Sequence, residues 1–402
     1  MKDLDEAYMI EQGYIVKNKD GSPYRIPENW FTDSLLIDFT NQEAKNWWFE
    51  KRQYLLDIGV DGFKTDGGEM VYGKELVFAD GSTGSDMRNR YPNDYVQSYY
   101  EFAQQNKGIT FSRSSYKGAQ RFPAHWAGDE RSTFDAFKQS LMAGINAGYS
   151  GVIFWGWDLA GFNGDIPTAE LFMRSTAMAA FCPIMQYHAE SKGEFNQDRT
   201  PWNIAERTGN SQVIDVYRFY ATVRMNLLPY IYSQSIISCE EKQPLMRALK
   251  MMYEEDALAS DIYDQYMFGE ELLVAPVIEE GMRERKVYLP DGVWTDFWTH
   301  KKYEGASTIT YLSEVNQIPV FIKKNAVVLL NLNEKNNLGE SVGNTINAYQ
   351  KACFVITAKS SFEKELVDHL GNKIVVKVVK ESETSQVTIT GLSNYKLKLI
   401  EL

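Results

Sequence analysis

Cysteine and histidine are both scarce in this chain of 402 residues, which holds Cys182, Cys239, Cys353 and four histidines. So few and so widely spaced, they exclude a disulfide framework or a cysteine/histidine metal cluster and point to a reduced, metal-free protein. An excess of positive charge is missing as well. With 42 basic against 54 acidic residues the formal net charge is −12, which argues against nucleic acid, because phosphates are bound by clustered Lys and Arg. No apolar run reaches membrane-spanning length, and the opening MKDLDEAYMIEQGY has neither the basic start nor the apolar core of a signal peptide. A soluble, cytoplasmic chain with no membrane partner is the expectation. Nor is there a glycine-rich phosphate turn opening an early helix, which disfavours a nucleotide fold.

Aromatic side chains, by contrast, are plentiful: 9 Trp, 24 Tyr and 21 Phe. Most belong to the core, and those beside carboxylates can pack flat on a sugar ring. The length is enough for two or three domains. From residue 35 to about 188, short apolar runs alternate with helical patterns, the signature of parallel β/α units. Six strands are expected, over residues 35–39, 60–65, 109–113, 124–128, 151–157 and 181–187. Between the first two, Thr40-Asn41-Gln42-Glu43 reads as a capping box. Further helices are expected over 93–106, over 133–146 with Gly148 as the stop, and over 213–235. Beyond about residue 270 short β runs take over, at 272–277, 285–289, 318–322, 374–379 and 386–389. The expected fold class is therefore α/β, a partial (β/α)₈ barrel over 1–235 that lacks its first two strands, then a proximal β-sandwich over 236–337 and a distal β domain over 338–402.

The most informative stretch is Val60-Asp61-Gly62-Phe63-Lys64-Thr65-Asp66-Gly67-Gly68-Glu69, a short strand driven into a glycine turn with a carboxylate at its end. A second run, Ala124-His125-Trp126-Ala127-Gly128-Asp129, also finishes on an aspartate. In barrels and doubly wound sheets the active groups sit at the C-terminal ends of strands, where Asp66, Arg113, Asp129, Asp158 and His188 all fall. Two such carboxylates suggest acid/base or nucleophilic work on a glycosidic bond.

These motifs resemble glycoside hydrolase family 31, the retaining α-glycosidases. The similar segments are SLLIDFTNQEA at 34–44, GVDGFKTDGGE at 59–69, FSRSSYKGAQRFPAHWAGD at 111–129 and FWGWDLAGF at 154–162. They continue with residues 181–188, YMFGEELLVAPV at 266–277, VYLPDGVWTDFW at 287–298 and IPVFIKKNA at 318–326. The resemblance implies a hydrolase of α-glucosidase or α-xylosidase type acting on a small carbohydrate or oligosaccharide, with no cofactor. It makes Asp66 the nucleophile and Asp129 the general acid and base, their carboxyls roughly 5–5.5 Å apart. Arg121, Asp158 and His188 would bind the sugar, Trp126 would form a wall and Lys64 would brace Asp66. Read without the resemblance, each has an ordinary role. Asp66 is a turn residue, Asp129 a helix cap, Asp158 a loop acid and His188 a core histidine; Arg121 makes a structural ion pair, while Trp126 and Lys64 fill space.

Two departures carry expectations of their own. Where the family has His-Asp-Ile-Gly-Gly, this chain has Trp157-Asp158-Leu159-Ala160-Gly161. A narrower, drier sugar site is expected, which opens the way to a substituted sugar such as an N-acetylgalactosaminide. The family also has an N-terminal sandwich and two barrel strands before the segment matched here. The chain is therefore expected to be a C-terminal portion of a longer enzyme, poorly active alone, whose partner is a missing N-terminal segment or complementing chain. Transglycosylation, or an inactive carbohydrate-binding fragment, are the alternatives to hydrolysis.

Overall fold

The computed structural model describes residues 2–27, 31–188, 198–343, 352–382 and 384–402. The chain divides into two compact units, Met1–Trp126 and Ala127–Leu402.

The first unit is built around three parallel strands, Gly62–Thr65, Ile109–Ser112 and Ala124–Trp126. Gly62 is required by close approach, since a Cβ there would stand 2.3 Å from the Ile109 carbonyl oxygen. Register places Lys64 opposite Phe111 and Thr65 opposite Ser112. Phe63 packs on Phe102 of the helix Gly84–Ala103, ring centroids 5.5 Å apart. Strand alternation therefore turns Lys64, and Asp66 beyond it, to the other face.

Several expectations are corrected here. Residues 35–39 form no parallel strand: Leu35 and Ile37 make antiparallel bridges to Arg25 and Ile15. The run is apolar because Leu36, Ile37 and Phe39 pack into a core with Tyr14, Val16 and Tyr24, a burial that carries no information on strand direction. Thr40 does not cap the helix Gln42–Glu50. Asn41 does, accepting the amides of Glu43 and Ala44, while the Thr40 hydroxyl donates to buried Asp38 at 2.6 Å. The helix expected from residue 93 starts nine residues earlier, at a Thr83/Asp86 capping box. It carries Pro92 through its interior; the lost hydrogen bond is outweighed by burial of Tyr91, Val96 and Phe102 along the helix.

In the second unit the helix Phe134–Tyr149 starts from Thr133 and runs past Gly148, where a Cβ would stand 3.1 Å from Pro244 and from the Met246 carbonyl oxygen, before the strand Phe154–Gly156. The expected strand at 181–187 does not form among the described residues. Its apolar start is buried, but the carbonyls of Ala180, Cys182 and Pro183 accept hydrogen bonds from Arg224 instead of from a neighbouring strand. Burial pushes that guanidinium down to about 10, still charged at neutral pH. The expected 213–235 helix is two helices, Gln212–Asn226 and Leu228–Glu241, broken at Leu227 just before Pro229.

After these helices the chain becomes β-rich. A six-stranded antiparallel sheet runs in the order Lys302–Glu304, Val293–Asp296, Val320–Lys323, Leu272–Val274, Tyr266–Phe268 and Met246–Ala248. Glu284–Leu289 and Ser307–Leu312 form a separate antiparallel pair. Ala326–Asn331 joins Ala352–Ala358 and Tyr395–Glu401 in a sheet of three. Together with the meander Phe362–Val367, Lys373–Glu381 and Thr384–Thr390 it encloses Leu329, Phe354, Ile374 and Val376. Among the described residues no helix is long and apolar enough to cross a membrane.

Candidate active site

In the first unit Asp66 closes the strand Gly62–Thr65. The chain then turns through Gly67 and Gly68, at φ +80° and +93°, a conformation that L side chains adopt rarely. The Gly67 amide donates to Asp66 Oδ1 at 2.9 Å and the Arg113 Nε stands 3.2 Å from the same oxygen. Among the described residues no hydrogen bond reaches Oδ2. Arg113 lies two residues past Phe111, hence on the same face as Lys64 and Asp66, and its Nη2 also meets Glu69 at 2.5 Å. Tyr95 donates its hydroxyl to the Asp66 carbonyl at 2.8 Å and so fixes the backbone beneath the carboxylate.

Arg113 is thus a cation beside Asp66 that the resemblance did not single out for that place. Arg121 is exposed on a turn of 3₁₀ helix, where it donates to Gln97 at 2.6 Å and lies over the Phe122 ring. Lys64 is exposed, its ammonium 4.4 Å from the centroid of Trp126, which is itself 4% exposed and packed against Phe111. His125 faces the other way, beside Ser112, and burial lowers its pKa to about 4, so it is a neutral core residue.

In the second unit Asp129 is exposed on a loop that follows Gly128 at φ +112°. This loop is laced to the one carrying Asp158. The Glu130 carbonyl accepts the amides of Phe162 and Asn163 at 2.7 and 3.1 Å, and the Asn163 side chain donates to the Asp129 carbonyl at 2.8 Å. Asp158 is fully buried, and its Oδ1 accepts from Gln186 at 2.9 Å. His188 is exposed, with its ring 5.1 Å from that of Phe162. The loops that carry Asp129, Asp158 and His188 are thus neighbours in this unit. Trp157 does not narrow it. Its ring lies 5.4 Å from that of Phe137 in the hydrophobic core, because strand alternation turns it toward the helix.

Two residues were not picked out from sequence. Gln186 orients Asp158; its only sequence signal is its place two residues before His188. Glu130 directly follows Asp129, and both its carboxyl oxygens are buried with no hydrogen-bond partner among the described residues. Burial, then the charge of Asp158, push its pKa up to about 8, opposed only in part by the amides of Glu130 and Asp158. Glu130 is thus protonated at neutral pH.

The lacing depends on Gly161, at φ +98°, where a Cβ would come within 2.6 Å of the Ser132 amide nitrogen. Gly161→Ala is expected to cost about 2 to 4 kcal/mol from strain and clash together, read as a lowered midpoint in chemical unfolding. An unchanged midpoint would mean that the two loops are not held this closely.

Residues 3–234 match the family model of the glycosyl hydrolases family 31 TIM-barrel domain, and residues 242–328 match the glycosyl hydrolase family 31 C-terminal domain. The chain belongs to glycoside hydrolase family 31. It is 46% identical to the isomaltosyltransferase of Sporosarcina globispora over 93% of this chain and 35% of that protein. The cycloalternan-forming enzyme from Listeria monocytogenes, solved in complex with a pentasaccharide substrate, aligns with a TM-score of 0.95 at 43% identity. That alignment covers 99% of this chain and 38% of that one. The cycloalternan-degrading enzyme from Trueperella pyogenes, solved with a covalent intermediate, aligns at a TM-score of 0.77 and 42% identity over 80% of this chain and 45% of that one. The chain thus spans less than half the length of these relatives.

Proposed function

We propose that this chain supplies the catalytic barrel of a retaining enzyme that cleaves α-glucosyl linkages in oligosaccharides and passes the glycosyl group to water or to a second sugar. The observation that carries the reading is the asymmetry at Asp66. Arg113 and the Gly67 amide both hold Oδ1, which leaves Oδ2 to attack. In the first step Oδ2 bonds to the anomeric carbon as the bond to the leaving oxygen breaks, and Asp129 gives that oxygen its proton. In the second, Asp129 takes a proton from water or an acceptor hydroxyl, whose oxygen attacks the anomeric carbon and releases Asp66. Two inversions leave the α configuration in place. Asp129 is exposed, as a group that must meet successive leaving groups and acceptors has to be.

Isomaltosyl and cycloalternan appear in the names of the relatives, which favours a glucose-based donor over an N-acetylgalactosaminide and gives transfer a standing equal to hydrolysis. Proton NMR of the first product from an aryl α-isomaltoside is the test. An α product is expected, as free isomaltose or as an acceptor glycoside. A β product would overturn the double displacement. If the chain bound isomaltose but never became covalently labelled, it would be a carbohydrate-binding fragment of a longer enzyme.

A further inference from the structure

Well away along the sequence from Asp129 and Asp158, the second unit contains a cavity of about 490 Å³ that the chemistry above does not use. Its floor is aromatic: Phe219 and Tyr220 from the helix Gln212–Asn226, Trp298 from the turn after Val293–Asp296, and Tyr311 from Ser307–Leu312. Phe219 and Trp298 rings stand 6.2 Å apart, tilted by 37°.

Two polar tips of this floor are already engaged. Trp298 Nε1 donates to the Ile318 carbonyl at 2.7 Å, and Tyr220 gives its hydroxyl to the Asn316 carbonyl at 2.9 Å. What remains for a ligand is mainly ring surface. The rim is of opposite character: Gln212, Asp215, Asn316 and Gln317 are all exposed, three of them amides. The only charged residue of the lining is Asp215, whose carboxylate is paired with Arg218 at 2.7 Å.

Flat carbon faces below, amides above and no cation in the lining select against anions and for a neutral polyol with apolar ring faces. The size is right for a mono- or disaccharide unit.

The cavity is also held in shape from beneath. Arg174, 2% exposed, donates to the carbonyls of Ser313, Glu314 and Gln317 and so fixes the loop that presents Asn316 and Gln317. A loop ordered before binding costs little to order on binding. A second cavity of about 670 Å³ shares Phe219 and Trp298 in its lining.

We infer that this cavity is a second sugar-binding site, which holds one or two α-glucosyl units of an oligosaccharide apart from the reacting bond. The choice of glucose rests on the function proposed above; the choice of a neutral sugar rests on the lining alone.

The test is fluorine NMR of the full chain labelled with 5-fluorotryptophan, with the Trp298 resonance assigned by its loss in Trp298→Phe. Should that variant not fold, Phe219→Tyr identifies the same resonance by displacing it. Titration with isomaltotriose is expected to move the Trp298 resonance saturably, with a millimolar Kd. Asn316→Trp, which fills the cavity from an exposed position, is expected to weaken this binding by about tenfold or more. The same shift is expected in an Asp66→Ala background, so failure of the catalytic assignment would leave this result standing. The proposal is overturned if isomaltotriose leaves Trp298 unmoved, if only an apolar dye moves it, or if Asn316→Trp has no effect.

Discussion

Asp66→Ala is expected to lower turnover of an aryl α-glucoside by on the order of 10⁴-fold or more, the scale found when a covalent nucleophile is removed. Substrate affinity should change little. Stability should also hold within about 1 kcal/mol, because the Asp66 side chain is 41% exposed and such ion pairs contribute little. Arg113 keeps Glu69 as a partner in the variant, so the guanidinium is not left without a counter-charge. The hole left by the carboxylate gives a second readout. Azide entering on the side of the lost Oδ2 would attack the anomeric carbon directly, expel the leaving group and give a β-glycosyl azide in a single inversion. Rescue with that stereochemistry identifies Asp66 as the nucleophile. A variant that keeps most of its activity, or is rescued with retention, would remove it from that role.

Glu130→Gln should act on stability rather than on the reaction, with a sign opposite to that of most carboxylates. The folded chain raises this pKa from 4.5 to about 8. Below pH 4.5 the group is protonated folded or unfolded, and its burial carries no ionisation cost. As pH rises from there to about 8, the unfolded chain gains a solvated carboxylate while the native one keeps its proton, so wild-type stability falls. Glutamine has no proton to lose. The variant should therefore match wild type near pH 4.5, gain on it progressively up to about pH 8 and hold a constant advantage above that. The full difference is on the order of 3 to 5 kcal/mol. Urea unfolding at intervals between pH 5 and 9 measures it. A difference independent of pH would show that Glu130 is ionised throughout.

Much of this architecture could be read from the amino-acid order because the physics involved is local. The strands at Gly62–Thr65, Ile109–Ser112, Ala124–Trp126 and Phe154–Gly156 are short runs that each end close to a glycine or a charged group, and all were expected within a few residues. Residues 35–39 and 181–187 carry the same apolar signal for other reasons. The first is covered by a core of tyrosines and valine, and the second is tied down by the Arg224 guanidinium. Hydrophobicity reports burial, and only pairing distinguishes a strand from a buried coil.

The site divides in a similar way. Asp66 was legible because a glycine pair must follow a carboxylate set at a strand end. Arg113 could have been placed beside Asp66 by counting pleats from Phe111, since every second residue of a strand shares a face. Nothing in the sequence says that Glu130 is buried while Asp129 beside it is exposed. That contrast is decided by the Phe162 and Asn163 amides, more than thirty positions away, which hold the Glu130 carbonyl.

This lacing also bears on how the enzyme can diversify. The bonds joining residue 130 to residues 162 and 163 are made by main-chain atoms, so they survive exchange of the half-buried side chain at Phe162. New sugar preferences are reachable there by single substitutions. One inserted or deleted residue would slide the amides past their acceptor, and descendants of this protein should therefore vary in the letters of this loop while its length stays fixed.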